Sequence, residues 1–508
     1  MTGVPGNSQV KASGVDGPAG PAQAGPASRW GAARAAASRR DWPGTARRHW
    51  LAAALLAAGL VLRVLAQLAY RPALFYIDTN RYLYSAEGND PVGYKGPLRA
   101  ILWVGNFDLV AAVQHLLGLA MAVVIYVLLV RRGTPRWLAA LAIAPVLLDA
   151  YQLQTEQTIM PGTWFEALIV AGLAILLWQP RAGWRRVVAA GIVLGTSATI
   201  AQVGEAMILP AAIYLLVAGG GWRAAIGKAA ALCAAFVLPI LVYCTGSYIL
   251  TGGFFLSHTG VTSFYGRTAA AADCATLRLP SAERGMCPTK AQQAQGPDWL
   301  EYNAASPIRP YYSGLPRAEA DSMLSDFNHR VLTQQPGRLL SAYGHDLLKP
   351  FALTRTTSPG DTPISRWQFQ TTFPYYTSHA TRAFVRTAVD RYGGGQSAVW
   401  RPVAAFLRSY QLDGGYTPGP LLALFTLAGL VGSAALLRRR LDPGTRQLAL
   451  ACLLLFLSGA ALTLVSDLFE FSWRYQLPAL VTLVPAGALG ISVVIRSVRA
   501  KRSSGARA

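Results

Sequence analysis

Several uninterrupted apolar runs of about 20 residues are the feature that most constrains this chain. A helix of that length crosses a hydrocarbon core of about 30 Å. Because backbone N–H and C=O groups in lipid must be satisfied within the segment, such runs are expected to be helices. Only 14% of the 508 residues are charged, whereas 53% are hydrophobic. The chain is therefore predicted to be an all-α polytopic membrane protein.

The placement of Lys and Arg predicts how the spans are oriented. Basic clusters follow alternate apolar runs, for example Arg131 and Arg132 after the second run. Such clusters mark cytoplasmic ends. They predict about ten spans in a plasma membrane, with both termini in the cytoplasm. Much of the positive charge behind the net charge of +22 lies in short clusters at the ends of apolar runs. This placement argues against nucleic-acid binding. The predicted spans cover residues 50–70, 109–130, 137–153, 163–178, 187–200, 206–217, 229–250, 420–437, 447–465 and 475–495.

Changes in composition along the chain predict its domain organisation. The N-terminal tail is rich in Gly, Ala, Pro and Arg without an apolar period, which is typical of disorder. A much longer polar stretch before the last three spans is large enough for a domain, of α or α+β type. The predicted parts are a disordered basic cytoplasmic tail (1–47), an N-terminal transmembrane module (48–250) with its first outward loop (71–106), an extracytoplasmic domain (251–418), C-terminal transmembrane helices (419–496) and a basic cytoplasmic tail (497–508).

The five cysteines fall into two groups. Cys274 and Cys287 lie in the polar stretch predicted to be extracytoplasmic, where disulfides form, so they are expected to be bonded to each other. Cys233, Cys244 and Cys452 lie in or beside apolar runs and are expected to be small buried hydrophobes.

Two acids on the outward side are candidate catalytic residues. Asp78 follows the first span closely, and Glu156 lies between the third and fourth spans. Carboxylates at one membrane face can divide the work of base and metal ligand, so a divalent cation such as Mg²⁺ or Mn²⁺ is a possible cofactor. Asp78 could instead pair with Arg81, and Glu156 could be an ordinary loop residue. Glu166, within the fourth span, is expected to hydrogen-bond a neighbouring helix.

Cations on the same outward side are candidate phosphate ligands. Arg474 opens the last span, against the general inward bias of positive charge, and a guanidinium can bind phosphate through two parallel hydrogen bonds. Arg267 and His258 lie at the start of the polar segment. The alternatives are pairing of Arg474 with Asp467 or Glu470, and a structural role for His258.

Common soluble-enzyme signatures are missing from the sequence. It contains no phosphate-binding loop of the Gly-x-x-x-x-Gly-Lys-Ser/Thr kind, which counts against an ATP-driven pump. It also contains no His-Glu-x-x-His zinc pattern and no Gly-x-Ser-x-Gly nucleophile elbow.

The order of these motifs resembles that of the GT-C membrane glycosyltransferases. The resemblance covers mainly residues 50–220 and 420–495. It consists of Asp78 after the first span, a Gly-Tyr-x-x-Pro-like stretch around Tyr94, Glu156 between spans three and four, and an Arg-Tyr-x-Leu-Pro element beginning at Arg474. The large outward segment before the last spans fits the same pattern, as in the protein mannosyltransferase and aminoarabinose transferase superfamily. The Ala-, Arg- and Gly-rich composition is typical of a high-GC bacterium, such as an actinobacterium.

The resemblance implies a hexosyl- or pentosyltransferase of the cell envelope, such as a mannosyl- or arabinosyltransferase. Such enzymes move a sugar from a polyprenyl-phosphate carrier to a protein, glycolipid or polysaccharide hydroxyl, usually with inversion. By position, Asp78 would be the general base and Glu156 its support. Arg474, with Arg267, would hold the carrier phosphate, and Tyr475, Tyr94 and His258 complete the predicted substrate-binding set.

Three other functions compete with this interpretation. A transporter or flippase of a polyprenyl-linked substrate would use similar lipids, but it would be expected to show internal repeats and ionisable residues at the midplane. A surface-polysaccharide polymerase or ligase would share the large outward segment. A catalytically dead scaffold would retain the fold alone.

Overall fold

The computed structural model of the chain describes residues 42–84, 91–218, 220–438 and 441–505. Residues 51–508 form one compact unit. Residues 1–41 of the predicted basic tail and residues 85–90 of the first predicted outward loop lie outside the described residues. Within the described part, the chain is mainly helical and its one sheet has two short antiparallel strands.

The helices and strands are numbered here in chain order. Those of the N-terminal half are α1 (Trp42–Ala69), β1 (Tyr70–Arg71), α2 (Thr79–Leu83), α3 (Lys95–Val104), α4 (Phe107–Arg132), α5 (Arg136–Leu148), α6 (Ala150–Gln157), α7 (Gly162–Leu177), α8 (Trp184–Ile200), α9 (Ile208–Ala218) and α10 (Trp222–Thr251).

The polar segment, defined as residues 251–418, and the C-terminal part contain the remaining elements. They are α11 (Gly260–Ala271), α12 (Lys290–Gln293), α13 (Pro297–Tyr302), α14 (Arg309–Gly314), α15 (Arg317–Gln334), α16 (Pro336–Leu348), α17 (Arg382–Tyr392), β2 (Ala398–Val399), α18 (Arg401–Leu412), α19 (Gly419–Ala434), α20 (Pro443–Phe469) and α21 (Pro478–Gly505). Short 3₁₀ turns cover Gln202–Met207, Ser281–Met286, Lys349–Phe351, Ile364–Trp367, Ala435–Leu437 and Trp473–Gln476.

Six helices in the described residues are long and apolar enough to cross a membrane, so the prediction of a multi-pass, mainly α-helical membrane protein is confirmed. A seventh candidate is the pair α5 and α6, which is bent by 49°. The predicted spans at 163–178 and 206–217 correspond to shorter apolar helices. The count of ten spans therefore stays a prediction. The six are Arg47–Ala69, Phe107–Arg132, Trp222–Thr251, Gly419–Leu437, Pro443–Phe469 and Trp473–Ala500.

The break between α5 and α6 is centred on Asp149. Its backbone is extended, and its carboxylate accepts a hydrogen bond from the N–H of Tyr151, which caps α6. The same carboxylate accepts from Arg355 at 2.8 Å and from the N–H of Thr417 at 2.8 Å. Backbone at a broken span needs such partners because lipid offers none. Asp149 therefore joins the bent segment to two parts of the chain beyond residue 350.

A buried ion pair connects α6 to the first span. The Nη2 atom of Arg63 lies 2.7 Å from Oε1 of Glu156, and the two side chains are 2% and 0% exposed. The guanidinium also donates to the carbonyl oxygens of Gly59, Val146 and Leu147. A charge in a span is costly unless it is paired in this way.

The remaining carboxylate oxygen of Glu156 is also occupied. Its Oε2 atom lies 3.0 Å from Nδ1 of His115, and Gln152 approaches Oε1 at 3.3 Å. The Nε2 atom of His115 lies 2.8 Å from the side-chain oxygen of Gln157. Every residue of α6 is buried. The polar side chains of this helix therefore form an internal hydrogen-bond network and not an exposed loop.

The polar segment is helical and has its own core around Tyr265, Leu324 and Phe327. A disulfide joins Cys274 and Cys287 within it. Cys244 and Cys452 are buried free cysteines.

Arg267 attaches the polar segment to the end of α20, and its placement differs from the expected phosphate-binding role. Its guanidinium lies 2.6 Å from Oδ2 of Asp346 and donates to the carbonyl oxygens of Asp467 and Phe469. Asp346 also forms an ion pair with Lys349, whose Nζ atom lies 2.7 Å from the carboxylate. Arg267 is 5% exposed, so its charge and donors are used in joining these elements.

Gly118 of α4 provides a test of the buried ion pair. A Cβ atom there would lie 2.1 Å from Oε1 of Glu156 and 2.7 Å from Nη2 of Arg63. We expect Gly118→Ala to separate the pair and to destabilise the protein by on the order of 3 kcal/mol, the cost typical of disrupting a buried pair. Thermal unfolding of the purified protein, followed by size-exclusion chromatography, measures the change.

Gly246→Ala is the matched control, because Gly246 also lies within a helix and a Cβ there meets no atom within 4 Å. We expect it to unfold at the wild-type temperature or slightly above. Equal midpoints for the Gly118→Ala and Gly246→Ala proteins would contradict the structural role of the pair.

Candidate functional site

A cavity of about 1230 Å³ lies where the span ends meet the polar segment. Its walls come from distant parts of the chain, which include the loop before α2, the connection between α6 and α7, and the start of the last span. Asp78, Arg474 and Tyr475 of the predicted site all line it.

The loop that carries Asp78 is fixed against the segment that follows α6. Leu74 bridges to Thr158, and its backbone exchanges hydrogen bonds with Gln157 and Ile159. The hydroxyl of Thr79 donates to the carbonyl of Ile159 and accepts from the N–H of Tyr76. Asp78 precedes α2, but its carboxylate makes no capping hydrogen bond. The carboxylate is therefore available to the cavity.

Asp78 and Arg474 are adjacent in this cavity. Oδ2 of Asp78 lies 3.4 Å from Nη1 of Arg474, and the side chains are 21% and 20% exposed. Arg81 is a more distant partner of the carboxylate, at 3.8 Å. Glu470, by contrast, makes no ion pair with Arg474 within 4 Å among the described contacts. Such long, partly exposed pairs bind weakly and can be replaced by a ligand.

Aromatic rings surround Arg474. Its guanidinium carbon lies 4.9 Å from the ring centre of Trp367, 4.7 Å from that of Tyr475 and 5.5 Å from that of Tyr76. Nη2 also donates to the hydroxyl of Tyr475 at 2.7 Å. Rings at these distances favour a cation and limit its rotation.

A second guanidinium, that of Arg366, meets the same aromatic group from the polar segment. Its Nη1 donates to the hydroxyl of Tyr76 at 3.4 Å and lies 3.9 Å from Oδ2 of Asp298. Arg366 lines the cavity and is 30% exposed. Arg366 and Trp367 were not predicted as site residues, because nothing in the local sequence marks this pair within the polar segment.

Several further acids line the cavity, and three of them are Asp298, Glu301 and Glu470. Burial raises the pKa of Glu301 to about 7, against the opposing hydrogen bonds from Ser263 and Thr262. Burial, followed by the charge of Asp298, raises the pKa of Glu470 to about 8. Burial also raises the pKa of Asp298. These acids hold protons more tightly than ordinary carboxylates do.

The other predicted site residues lie away from the cavity lining. Glu156 is enclosed by Arg63 and His115, as described above. Tyr94 is fully buried, and its hydroxyl donates to Gln114 at 2.8 Å. The ring of His258 packs on that of Phe255. Internal polar and aromatic contacts hold these three residues outside the cavity lining, and their roles stay predictions.

The acid that lines the cavity near α6 is Glu166. Its Oε2 accepts a hydrogen bond from Gln152 at 2.8 Å, and Gln152 also approaches Glu156. The expected hydrogen bond from Glu166 to a neighbouring helix is present, and the residue lines the cavity as well.

A divalent cation held jointly by Asp78 and Glu156 does not fit this arrangement. Glu156 is already neutralised by Arg63 at 2.7 Å and lies outside the cavity lining. Asp78 faces a guanidinium instead of a second carboxylate. Among the residues that the structure describes, no group of three or more His, Cys, Asp or Glu side chains has metal-binding geometry. We therefore derive no step through a metal.

Two solved structures are similar to parts of this chain. One is the S. cerevisiae protein O-mannosyltransferase Pmt1-Pmt2 complex bound to the sugar donor, at 16% identity and a TM-score of 0.30, over 44% of this chain and 36% of that one. The other is the oligosaccharyltransferase AglB from Archaeoglobus fulgidus in complex with an inhibitory peptide and a dolichol-phosphate, at 14% identity and a TM-score of 0.39, over 91% of this chain and 52% of that one.

The chain thus spans about a third to a half of the length of these two structures. No family model and no curated protein matches it. Similarity at this level does not assign the chain to a family.

The raised pKa values predict how stability depends on pH. Glu470 has a pKa of about 8 in the folded protein against a reference value of 4.5, so the folded state binds its proton more tightly. This stabilisation is complete below about pH 4.5 and is lost as the pH rises through about 8. We expect the thermal unfolding midpoint to fall between pH 6 and pH 9, and Glu470→Gln to reduce that fall.

Glu319→Gln is the control, because Glu319 is exposed on α15. We expect its midpoint to change with pH as in the wild type. An equal fall for the wild type and the Glu470→Gln protein would show that Glu470 does not hold its proton as described.

Proposed function

We propose that the chain is a membrane glycosyltransferase of the GT-C type that moves a sugar from a polyprenyl-phosphate carrier to an acceptor hydroxyl on a protein, lipid or polysaccharide. The observation that carries the proposal is the pairing of a carboxylate and a guanidinium, Asp78 and Arg474, at 3.4 Å in a large cavity at the span ends. The motif order that resembles the GT-C enzymes includes both residues.

The proposed reaction is a single displacement. Asp78 accepts the proton of the acceptor hydroxyl while the hydroxyl oxygen attacks the anomeric carbon of the sugar. The bond from that carbon to the phosphate oxygen breaks, and the phosphate leaves with the electron pair. Attack from the face opposite the leaving group inverts the anomeric configuration.

Stabilisation of the leaving phosphate is assigned to Arg474 and Arg366. A phosphate leaving group needs charge stabilisation more than it needs a proton, and guanidinium groups supply this through paired hydrogen bonds. Arg366 takes the place proposed from the sequence for Arg267, which is paired with Asp346 instead. Both arginines contact Tyr76, so one phosphate group can reach the two of them.

Phosphate binding also activates the base in this scheme. In the structure, the carboxylate of Asp78 is shared between Arg474 and Arg81 at 3.4 Å and 3.8 Å. A phosphate that draws Arg474 toward itself leaves Asp78 with one weak partner. The carboxylate then becomes free to take a proton when the donor is in place.

Substitutions at Asp78 and Arg474 test the proposal directly. Asp78→Asn removes the base and is expected to lower kcat about 10²- to 10⁴-fold, the usual contribution of a positioned general base. Arg474→Lys keeps the charge but loses the paired geometry, so it is expected to weaken donor binding and lower the rate. The measurement is transfer from a labelled polyprenyl-phosphate sugar by purified protein in liposomes.

Asp390→Asn is the matched control, because Asp390 is an exposed acid on α17 away from the cavity lining. It is expected to keep wild-type activity. Retained transfer by a folded Asp78→Asn protein would exclude Asp78 as the base.

The same liposomes test the transporter hypothesis. A flippase would move the labelled carrier across the bilayer without transferring the sugar. We expect sugar transfer that depends on Asp78. Carrier translocation without transfer would overturn the enzyme proposal in favour of the flippase.

A further inference from the structure

The helix α18 is fixed at both ends to places where spans terminate. The N–H of Trp400, just before α18, donates to the carbonyl of Ala69, the last residue of α1. The adjacent strands β1 and β2 pair Tyr70 with Val399. Six residues separate the end of α18 from Gly419, which begins α19. Both ends of α18 therefore lie at the level where apolar helices start or stop.

A third attachment lies along the helix and its following turn. The hydroxyl of Tyr410 donates to the carbonyl of Leu148, the last residue of α5, at 2.6 Å. The N–H of Ala150 donates to the carbonyl of Gly415 at 2.7 Å. α18 thus connects the end of α1 to the start of α19 and contacts the break in the bent α5–α6 segment between them.

The outward face of α18 is mainly apolar, with the exposed, charged Arg401 at the N-terminal end of the helix. Pro402, Ala405, Phe406, Ser409 and Leu412 share this face and are all exposed. Phe406 is 51% exposed and Leu412 is 47% exposed. Several apolar side chains grouped on one face of a surface helix are typical of an interaction site, such as a contact with the membrane interface.

Exposed apolar side chains also lie on the spans next to both ends of α18. Trp400 is 54% exposed beside the end of α1, where Val64 and Leu68 are also exposed. On α19, Leu424 and Leu427 are 58% and 59% exposed. Trp at this level is typical of the boundary between headgroups and acyl chains.

The inward face of α18 holds part of the cavity wall. Gln411 is fully buried, with its amide donating to the carbonyl of Trp367 and its oxygen accepting from the N–H of Phe369. Arg408 donates to the carbonyl of Phe369 at 2.7 Å. The ring of Phe369 also stacks on Tyr70 at 5.7 Å. Hydrogen bonds from α18 thus hold the segment that contains Arg366 and Trp367 in place.

We propose that the outward face of α18 lies in the interface of the bilayer, with Trp400 and Phe406 among the lipid headgroups. Lipid is the occupant because the hydrogen bond to Ala69 and the start of α19 at Gly419 place the two ends of the helix where spans end. The same helix then fixes the height of Arg366 and Trp367 above the acyl chains. If the proposed function holds, this height brings the two residues to the phosphate of a carrier whose tail lies in the bilayer.

Photocrosslinking in native membranes tests the lipid contact without any assay of sugar transfer. A benzoylphenylalanine residue replaces Phe406 in the full chain, and mass spectrometry then detects phospholipid adducts after irradiation. Leu332, 46% exposed on α15, is the control position, because the side-chain contacts of α15 are made with other parts of the polar segment. We expect at least tenfold more lipid adduct at position 406 than at position 332.

Replacement of Ser409 on the same face provides a second position in case the substituted residue 406 prevents folding. Lipid adducts at either position in folded protein support the proposal. Equal adduct yields at 406, 409 and 332, or crosslinks to a second protein chain in place of lipid, would overturn it. Because the readout is independent of catalysis, a failure of the proposed function leaves this result unchanged.

Discussion

A guanidinium inside the first span sets the main constraint on this fold. Arg63 can remain there only if its charge and donors are satisfied, and Glu156 supplies the counter-charge at 2.7 Å. Glu156 reaches it because the chain breaks at Asp149 and turns into the buried helix α6. The residues that follow α6 then lie against Leu74, which fixes the loop that carries Asp78. The position of the proposed base thus depends on an ion pair that lies outside the cavity.

The polar segment is attached to the membrane part through charges as well. Arg355 binds Asp149 at the helix break, and its guanidinium lies over the rings of Tyr151 and Tyr416. Arg267 binds the end of α20 through two carbonyl oxygens. These two attachments hold the walls of the cavity at fixed positions over the span ends. A charged substrate can therefore meet Arg474 and Arg366 without a large rearrangement of the segment.

The sequence was most informative where one local signal decided the outcome. Apolar runs predicted the helices, and two cysteines in a polar stretch predicted their disulfide. It was least informative where a partner lies far along the chain. The sequence does not show that Arg267 pairs with Asp346, so Arg267 was predicted to be available for phosphate. It also does not show that Arg366 contacts Tyr76, so Arg366 was not predicted as a site residue. Glu156 shows the same effect, because its partner is separated from it by 93 residues.

That separation has a consequence for how the protein is made. Arg63 leaves the ribosome 93 residues before Glu156, the carboxylate that neutralises it. During this interval the first apolar helix carries a cation that lipid cannot solvate well. The nascent helix must then wait at the insertion machinery, or keep its guanidinium near the headgroups, until α4 and the bent α5–α6 segment arrive. Biogenesis of this protein is therefore expected to be cooperative across its first three apolar segments, and truncation between residues 63 and 156 should release an intermediate that quality-control proteases recognise.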